Sequence, residues 1–487
     1  MSRQINRKEP SMSRINNKDA ISEICETVLR KTTPNQKEKE KTAQFCHKLI
    51  TNLQKELRKN SLEAEVQIEG SIAKDTWLTE EKDIDLFILV PKGQNREVFA
   101  SVLNAAKKVA GKNCLEAYAE HPYIEAKIDG FKVDFVPCFK VSSAEQAESS
   151  VDRTPFHTRY VLEHLTEETK KEVRLLKRFM RGIGTYGAEI KIGGFSGYLC
   201  EVLILYYGSF INLLKSAADW KQYEVIDLEN HFREKYAEVK QVFPEHLVVV
   251  DPVDKGRNVA SAVKPERLSE FIVASRQFLK TPRLEFFYPK PMKPSLFDAI
   301  NRKMKSRGTT FIFLKTGAIP AVPDVLWGQL YRSQKALAKT LAGCNFNIVQ
   351  HNVWSDEKSV NVFLFEVDSR YLPMVERHVG PPVWKKEDCE KFLEKHLKSK
   401  KTLSGPRIED DRWIVDRQRH YVDAVNFLRE KLKKDKEKLG IASMVLNAFA
   451  SSLEIWVDAE VKNFYVHNRD FAIFFTEFLE GKPRWLH

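Results

Sequence analysis

The sequence predicts an α+β protein of several domains, and two observations lead to this class. At 487 residues the chain is too long for a single hydrophobic core, because domains typically hold about 100–200 residues. The hydrophobic pattern also changes along the chain, from helical spacing to the period-two alternation of strands and back. We therefore expect about two to four domains that combine mixed sheets with helices.

The first part of the chain is predicted to form a small mixed sheet with helices. A helix begins near residue 38, and period-two alternation over residues 62–68 and 83–90 predicts two strands with a glycine–serine turn between them. Residues 72–78 can start a short helix after that turn. Asp129-Gly130 lies between two further alternating runs, which is typical of a tight β-hairpin.

The segment from about residue 165 to 220 is predicted to be helical and to bear a basic stripe. One helix face is apolar, with Leu175, Leu176, Phe179 and Ile183. Another face follows the i, i+3, i+4, i+7 rule with basic residues only, namely Arg174, Lys177, Arg178 and Arg181. The pattern alone leaves open whether this stripe is a solvated face or a set of anion contacts.

The chain is predicted to divide into five segments, and the proline-rich stretch 288–295 indicates one of the boundaries. The segments are a flexible basic arm (1–37), an α+β head (38–152), a helical central or neck domain (153–283), an α+β body (284–408) and a tail (409–487). The predicted elements of the body and tail are a strand at 309–315, a helix at 323–342, strands near 346–353 and 359–366, a helix at 385–398, a basic connector at 395–407 and, in the last part from 410, a helix at 422–439.

The net charge indicates the class of binding partner, and the cysteine spacing indicates the cellular compartment. The net charge of +12 favours an anionic partner, with nucleic acid ahead of membrane because no basic amphipathic anchor is present. The seven cysteines lie far apart without a CxxC pair, which indicates reduced thiols rather than a zinc site or disulfides. The first residues lack the apolar region of a secretory signal, and the most apolar stretch, 202–214, is too short to span a membrane. We expect a cytoplasmic protein.

Three acids in otherwise apolar strands predict a metal site. Asp83 and Asp85 are two residues apart on one strand and so share a face, and Asp134 lies mid-strand on the return arm of the predicted hairpin. Carboxylates this close repel each other unless a cation neutralises them. Mg²⁺ prefers such hard oxygen ligands and completes its shell with phosphate oxygens. A single acid of this kind is usually a strand-edge residue, but three together favour a metal site.

The glycine–serine step before the second strand predicts an anion cradle. Gly70 lets the backbone approach a ligand closely, and the hydroxyl and free N–H groups of Ser71 at a helix start can bind an anion. Lys74 adds a cation one turn later. By itself the pair is weak, since most such pairs are only turns.

Together these features resemble the DNA polymerase beta-type nucleotidyltransferase superfamily, in which a Gly-Ser step precedes two acids on one strand and a third on a later strand. Further motifs resemble the archaeal, class I CCA-adding enzymes, most densely over residues 65–280 and more loosely to the C-terminus. These motifs are "GSIAKDTWL", "AEHPY", "VDFVPCF", "VDRTPFH", "EVRLLKRFM", "YGAEIKIGGFSGYLCE" and "DPVDKGRNVA".

The resemblance implies a polymerase beta-like catalytic head and assigns roles to individual residues. Asp83, Asp85 and Asp134 would be the catalytic acids that bind two Mg²⁺ ions, although the family often has Glu at the position of Asp83. Asp134 would bind the ion that activates the RNA 3′-hydroxyl. The implied contacts of ATP or CTP are Gly70, Ser71, Lys74, Arg153, Thr154, His157, Lys177, Tyr186 and Arg257, with Arg257 near the incoming base and His121 and Tyr123 assigned only loosely.

The resemblance also implies the reaction and the partners. The family adds C, C and A in order to the 3′ end of tRNA without a nucleic-acid template, and the C-terminal half would bind the acceptor stem and TΨC arm by shape and phosphate contacts. Relatives suggest a homodimer. Two alternatives remain: another RNA 3′-terminal nucleotidyltransferase such as a poly(A) polymerase, and a catalytically silent RNA-binding protein on an inherited fold.

Overall fold

The computed structural model describes residues 17–112, 114–118, 122–233, 235–434 and 436–486. Its chain divides into two compact units, one formed by the residues up to Pro291 together with those from Pro483 onward, and the other by Met292–Lys482. The division falls inside the proline-rich stretch 288–295. The finer boundaries at residues 37, 152, 283 and 408 stay predictions.

The helices and strands of the first unit alternate along the chain. They are α1 (Asn17–Thr32), α2 (Gln36–Lys59), β1 (Glu65–Glu69), α3 (Gly70–Ala73), β2 (Asp83–Pro91), α4 (Val98–Ala110), β3 (Cys114–Tyr118), β4 (Pro122–Ile128), β5 (Phe131–Lys140), α5 (Thr154–His164), α6 (Glu167–Gly182), α7 (Gly197–Tyr207), α8 (Phe210–Ala217), β6 (Glu224–Asp227), α9 (Tyr236–Val242), β7 (Leu247–Asp251), β8 (Asp254–Asn258) and α10 (Pro265–Lys280).

The head is a mixed five-stranded sheet with the order β1-β2-β5-β4-β3. Strands β2 and β5 are parallel, and the other neighbouring pairs are antiparallel. The predicted hairpin between β4 and β5 is confirmed, since Asp129 and Gly130 have φ angles of 51° and 84°, as a two-residue hairpin turn requires. Leu86 and Phe135 belong to the fully buried core beneath α2 and α4, so the opposite face of β2 and β5 holds the acids.

Residues 17–32 form α1, where a flexible arm was expected. Val28 is fully buried in the core of the central helices, and Ile21, Ile24 and Cys25 pack against the same core. These residues recur at intervals of three and four, which is the spacing of one helix face, and that face anchors the segment. Residues 1–16 lie outside the described part of the chain.

The central helices surround a phenylalanine-rich core. The ring of Phe179 on α6 packs at 5.4 Å from Phe210 and 5.6 Å from Phe278, measured between ring centroids. The predicted apolar face of α6 is therefore confirmed. A three-stranded sheet with the order β6-β7-β8 accompanies these helices and was not predicted, because β6 and β8 are short and largely polar.

The basic stripe of α6 is not a solvated face. Arg174 and Lys177 are 2% and 1% exposed. Arg174 donates to the backbone oxygens of Asp75 and Trp77, and Arg178 donates to the backbone oxygen of Phe287. Arg174 and Lys177 are buried, and Arg178 is partly buried, because these groups satisfy polar groups of the segment that links α3 to β2 and of the chain after α10.

The second unit has its own set of elements. They are α11 (Phe297–Ser306), β9 (Thr310–Thr316), α12 (Pro323–Ala342), β10 (Ile348–Ser355), β11 (Asn361–Val367), β12 (Val375–Pro382), α13 (Lys386–Leu397), β13 (Thr402–Glu409), β14 (Arg412–Gln418), α14 (Ala424–Lys434), α15 (Ser443–Ser452), β15 (Glu454–Val457), α16 (Lys462–His467) and α17 (Arg469–Glu480).

Two sheets organise the second unit. The order of the larger is β10-β11-β9-β15, with Ile312 and Leu314 of β9 packing in one core and Phe311 and Phe313 in another. The helix predicted at 323–342 is confirmed by α12. The smaller sheet has the order β12-β14-β13.

The predicted connector at 395–407 is wrong in part, whereas the helix predicted at 422–439 is confirmed by α14. Residues from Thr402 form β13, and Arg412–Gln418 form β14. These strands lack a hydrophobic alternation because cross-strand ion pairs stabilise them, including Arg407 with Asp416 at 2.6 Å and Arg417 with Glu376 at 3.1 Å.

Among the described residues, no single helix is long and apolar enough to cross a membrane. Only α7 and α8 taken together pass such a test by length and composition, and they are bent by 91° relative to each other.

Candidate active site

A cavity of about 500 Å³ opens in the first unit between the sheet face with the acids and the central helices. Ten of the predicted site residues line it, namely Gly70, Ser71, Lys74, Asp83, Asp85, Asp134, Thr154, His157, Tyr186 and Arg257. Arg153 and Lys177 are not among the lining residues. His121 lies outside the described residues, and Tyr123 lies on β4 away from the lining.

The three acids occupy one face of two adjacent strands. Asp85 of β2 lies directly opposite Asp134 of β5 in the parallel register, and Asp83 lies opposite Lys132. Because side chains alternate along a strand, Asp83, Asp85 and Asp134 all point to the face away from the buried Ile84. The placement that the alternation predicted is confirmed; the metal-binding role stays a prediction.

The charge of these acids is poorly compensated. Burial raises the pKa of Asp85 to about 6 against the opposing charge of Lys74, and burial raises the pKa of Asp134 to about 7 against that of Lys132. The Oδ1 atom of Asp134 is buried and accepts no hydrogen bond within the described chain. Hard oxygen ligands with incompletely compensated charge fit a divalent cation, although within the described residues no three ligating side chains already converge on one point.

Gly70 is required by the position of Asp85. Its φ angle is +70°, and a Cβ atom added there would lie 1.9 Å from Oδ2 of Asp85. The glycine therefore allows its backbone to lie close to the carboxylate of Asp85, and not only to a bound ligand. The short helix predicted at 72–78 begins two residues earlier, at Gly70, and ends at Ala73.

Lys74 lines the cavity but is tied to a buried acid. Its ammonium donates to Oε2 of Glu201 at 2.5 Å, and the hydroxyl of Thr76 donates to Oε1 at 2.6 Å. Burial alone would raise the pKa of Glu201, but the charges of Lys74 and Lys177 together with these hydrogen bonds outweigh burial and lower it. Glu201 is therefore ionised at neutral pH inside the protein.

Lys177 was predicted as a direct nucleotide contact, and the structure places it one layer below the cavity. Its ammonium donates to the backbone oxygen and the hydroxyl of Thr76, at 3.1 Å each, and lies 3.5 Å from Oε1 of Glu201. Arg153 is also engaged, since its Nε lies 3.0 Å from Oδ2 of Asp254. A direct contact of either residue with a nucleotide stays a prediction.

The far wall of the cavity contains His157, Tyr198 and Arg257, which meet at one carboxylate. His157 and Arg257 donate to Oδ2 of Asp251 at 2.9 Å and 3.0 Å, and Tyr198 donates to Oδ1 at 3.1 Å. The imidazole and the phenol ring are stacked, with centroids 4.1 Å apart. This wall offers donors and an aromatic surface to a ligand.

Comparison with known proteins identifies the family. Three family profiles match successive parts of the chain: a nucleotidyltransferase domain over residues 50–157, the second domain of tRNA nucleotidyltransferase over 171–288, and the C-terminal domain of CCA-adding enzyme over 307–458. The CCA-adding enzyme of Methanosarcina acetivorans is 36% identical over 454 residues, which cover 91% of this chain and 96% of that protein. The chain belongs to the CCA-adding enzyme family.

Other CCA-adding enzymes match over most of their length as well. Those of Methanosarcina barkeri and Methanothermobacter thermautotrophicus are 38% and 36% identical, and the alignments cover 84% and 85% of this chain and 89% of each relative. The resemblance and the predicted fold class are thus confirmed. Structures of the Cid1 poly(U) polymerase align more loosely, with a TM-score of 0.43 and 16% identity over 54% of this chain and 95% of that chain.

Several residues around the cavity of this CCA-adding enzyme family member were not singled out from sequence. They are Lys132, Tyr198, Glu201 and Asp251. A signal existed for two of them: Glu201 is the one acid in the apolar helix "GYLCEVLILYY", and Asp251 ends the apolar strand "LVVVD". An acid in such a run needs a partner, but the sequence does not show which partner it has.

Proposed function

We propose that this chain adds C, C and A in order to the 3′ end of tRNA, using CTP and ATP and releasing pyrophosphate without a nucleic-acid template. The supporting observation is that relatives named CCA-adding enzyme align with both units, over 96% of the length of one such relative. In the proposed reaction the 3′-hydroxyl of tRNA attacks the α-phosphate of the incoming nucleotide in line with the departing pyrophosphate.

The residues around the cavity would contact different parts of the nucleotide, according to where they lie. Ser71 and Lys74, on the glycine–serine step, would bind the triphosphate, and Lys74 would do so while its ammonium also donates to the buried Glu201. Arg257, His157 and Tyr186 would contact the rest of the nucleotide. Thr154 lines the same wall as His157, and Arg153 orients that segment through Asp254.

The acids would hold the metal ions. Nucleotidyltransferases of this superfamily generally use divalent ions, and we propose two Mg²⁺ ions bound by Asp83, Asp85 and Asp134. When bound, such ions supply positive charge at the attacking and leaving oxygens. The acids themselves would position the 3′-hydroxyl and the α-phosphate on the open face of β2 and β5, and Asp134, opposite Asp85, would help to remove the proton of the hydroxyl.

The partner of the second unit would be the upper half of tRNA, made of the acceptor stem and the TΨC arm. A net charge of +12 favours phosphate contacts, and affinity for tRNA should fall steeply with salt. A homodimer and a cytoplasmic location stay part of this proposal.

The experiment that tests the function is the product sequence obtained from tRNA lacking CCA. With CTP and ATP together, we expect the full CCA end and no further extension; with CTP alone, only C residues are added. Indefinite extension with ATP and no use of CTP would indicate a poly(A) polymerase-like enzyme. Binding of the tRNA without any extension would indicate a silent RNA-binding protein.

A further inference from the structure

Asp251 joins three side chains of the cavity wall that come from different elements. It ends β7, is fully buried and does not line the cavity itself. Its Oδ2 atom accepts from His157 of α5 and Arg257 of β8, and its Oδ1 atom accepts from Tyr198 of α7 and from the backbone N–H of Val253 at 3.1 Å. Four donors thus converge on one carboxylate.

These donors favour the ionised form of the Asp251 carboxylate. Burial would raise the pKa of Asp251, but the hydrogen bond from His157, the other donors and the charge of Arg257 outweigh burial and lower it. Burial also lowers the pKa of His157, despite the hydrogen bond to Asp251. A buried carboxylate that stays ionised is tolerated only when it is paired and hydrogen-bonded, so removing its charge disturbs every group bound to it.

We infer that Asp251 is a positioning residue that fixes Arg257, His157 and Tyr198 as one recognition surface for the base of the incoming nucleotide. This inference rests on the proposed function. One nitrogen of the Arg257 guanidinium, Nη1, donates to Asp251, and about a third of the side chain remains exposed, at 33%. A guanidinium fixed in this way presents its remaining donors in one orientation, which lowers the entropic cost of binding a base edge.

The fixed donors of Arg257 predict which bases this site accepts. Cytosine N3 and adenine N1 are acceptors, whereas uracil has a donor at N3. A held guanidinium can donate to the first two and opposes the third, because an unpaired donor facing a donor leaves both without a partner. By holding Arg257 in one orientation, Asp251 therefore favours CTP and ATP over UTP, although it does not contact the nucleotide itself.

The test compares Asp251→Asn with Asp227→Asn in the full chain. Asp227 belongs to the same small sheet and accepts from the backbone N–H groups of His231 and Phe232, outside the cavity lining. Calorimetry measures the affinities for CTP and UTP, and single-nucleotide addition to tRNA lacking CCA measures KM and kcat. In Asp251→Asn we expect CTP affinity to fall about tenfold, KM to change more than kcat, and the CTP-to-UTP ratio to fall. Asp227→Asn should match the unsubstituted protein.

An unchanged CTP-to-UTP affinity ratio in a folded Asp251→Asn would overturn the inference and leave the function standing. If the unsubstituted protein binds CTP but adds no nucleotide to tRNA, the proposed function fails, and the affinity ratios still decide the role of Asp251. The two failures are therefore distinguishable.

A second set of variants decides the question if Asp251→Asn does not fold. Tyr198→Phe removes one donor to Asp251 but keeps the ring stacked on His157. Its effect on CTP affinity should be about two- to fivefold in the natural chain and should vanish in an Arg257→Ala background, because Tyr198 and Arg257 are coupled through the shared carboxylate. Additive effects of the two substitutions would contradict a positioning role.

Discussion

The ammonium of Lys74 lies 2.5 Å from the carboxylate of Glu201, 127 residues later in the chain, and both side chains are buried. Lys177 lies 3.5 Å from the same carboxylate. Two cations thus share one buried anion, and the group has a net positive charge directly below the predicted triphosphate site. The catalytic head and the central helices are linked at this point by charge as well as by packing.

Glu201→Gln should destabilise the protein by about 3–5 kcal/mol at neutral pH, because it leaves two buried lysines without a counter-charge. The pKa of Glu201 is lowered in the folded state. Its contribution is therefore present above the unfolded value of about 4.5 and is lost as the pH falls through the folded value. The measurement is denaturant unfolding at a series of pH values.

The cost of Glu201→Gln should accordingly shrink as the solution is acidified below about pH 4.5. The exposed Glu163→Gln on α5 is the control and should change little at any pH. A cost for Glu201→Gln that does not depend on pH would show that packing, rather than charge, explains the burial of this residue.

Lys177→Met should raise the KM for CTP and ATP about tenfold, which corresponds to about 1.4 kcal/mol. The reason is that Glu201 would then neutralise Lys74 alone, so that the group below the triphosphate loses its net charge. Affinity for tRNA should change less, since Lys177 is not on the surface. Steady-state kinetics and filter binding measure the two effects, with the exposed Lys171→Met of the same helix as the control. Equal weakening of both would contradict this role.

Asp134→Ala should reduce nucleotide addition by a factor on the order of 10³ or more, because it removes a ligand of the ions that stabilise the transferring phosphoryl group. Binding of tRNA at moderate salt should be largely retained. The exposed Glu116→Ala, in β3 of the same sheet, is the control. Activity that survives Asp134→Ala would exclude the metal assignment.

Gly70→Ala should abolish activity while costing only about 1–2 kcal/mol of stability from backbone strain. The added Cβ would lie 1.9 Å from Asp85, so this carboxylate must leave its place opposite Asp134. Gly208 is the control, because its φ angle of +75° is similar, its backbone is left-handed helical and nothing lies within 4 Å of its added Cβ. Gly208→Ala should show backbone strain of about 1–2 kcal/mol and normal activity. Comparable activity of both variants would show that Asp85 is not needed where it lies.

Lys132→Met should tighten the binding of Mn²⁺ to the full chain several-fold in the absence of nucleotide. The ammonium of Lys132 lies 3.7 Å from Asp134 and 3.0 Å from Glu125, so it already neutralises part of the acidic face and competes with a cation. Electron paramagnetic resonance of free Mn²⁺ measures the affinity, and the exposed Lys108→Met on α4 is the control. Unchanged or weaker binding in Lys132→Met would show that the ammonium does not compete.

Elements with a strong hydrophobic periodicity could be predicted from the local sequence alone. Alternation over β2 placed Asp83 and Asp85 on the face opposite Ile84, and Asp129-Gly130 identified the hairpin that brings β5 back into the sheet. The apolar face of α6 and the limits of α12 were likewise readable. In each case the signal lies within a few residues, because the period of a side-chain pattern reports directly which face is buried.

Charge patterns were less informative, because their meaning depends on what packs against them. The same spacing on α6 fits a solvated stripe or a buried one, and only the contacts of Arg174 with Asp75, 99 residues earlier, decide between them. In β13 and β14, ion pairs replaced the hydrophobic alternation by which a strand is recognised.

The sequence by itself determined the family, the three acids and the glycine–serine step, since these depend on residue type and on short spacing. Only the tertiary structure decided that Lys177 lies beneath the cavity, that Glu201 holds Lys74, and that Asp251 joins three side chains of the cavity wall. Such partners are about 100 residues apart or more in several cases, as with His157 and Asp251, 94 residues apart. A buried charge must find a counter-charge, but folding alone determines which one is near enough to pair with it.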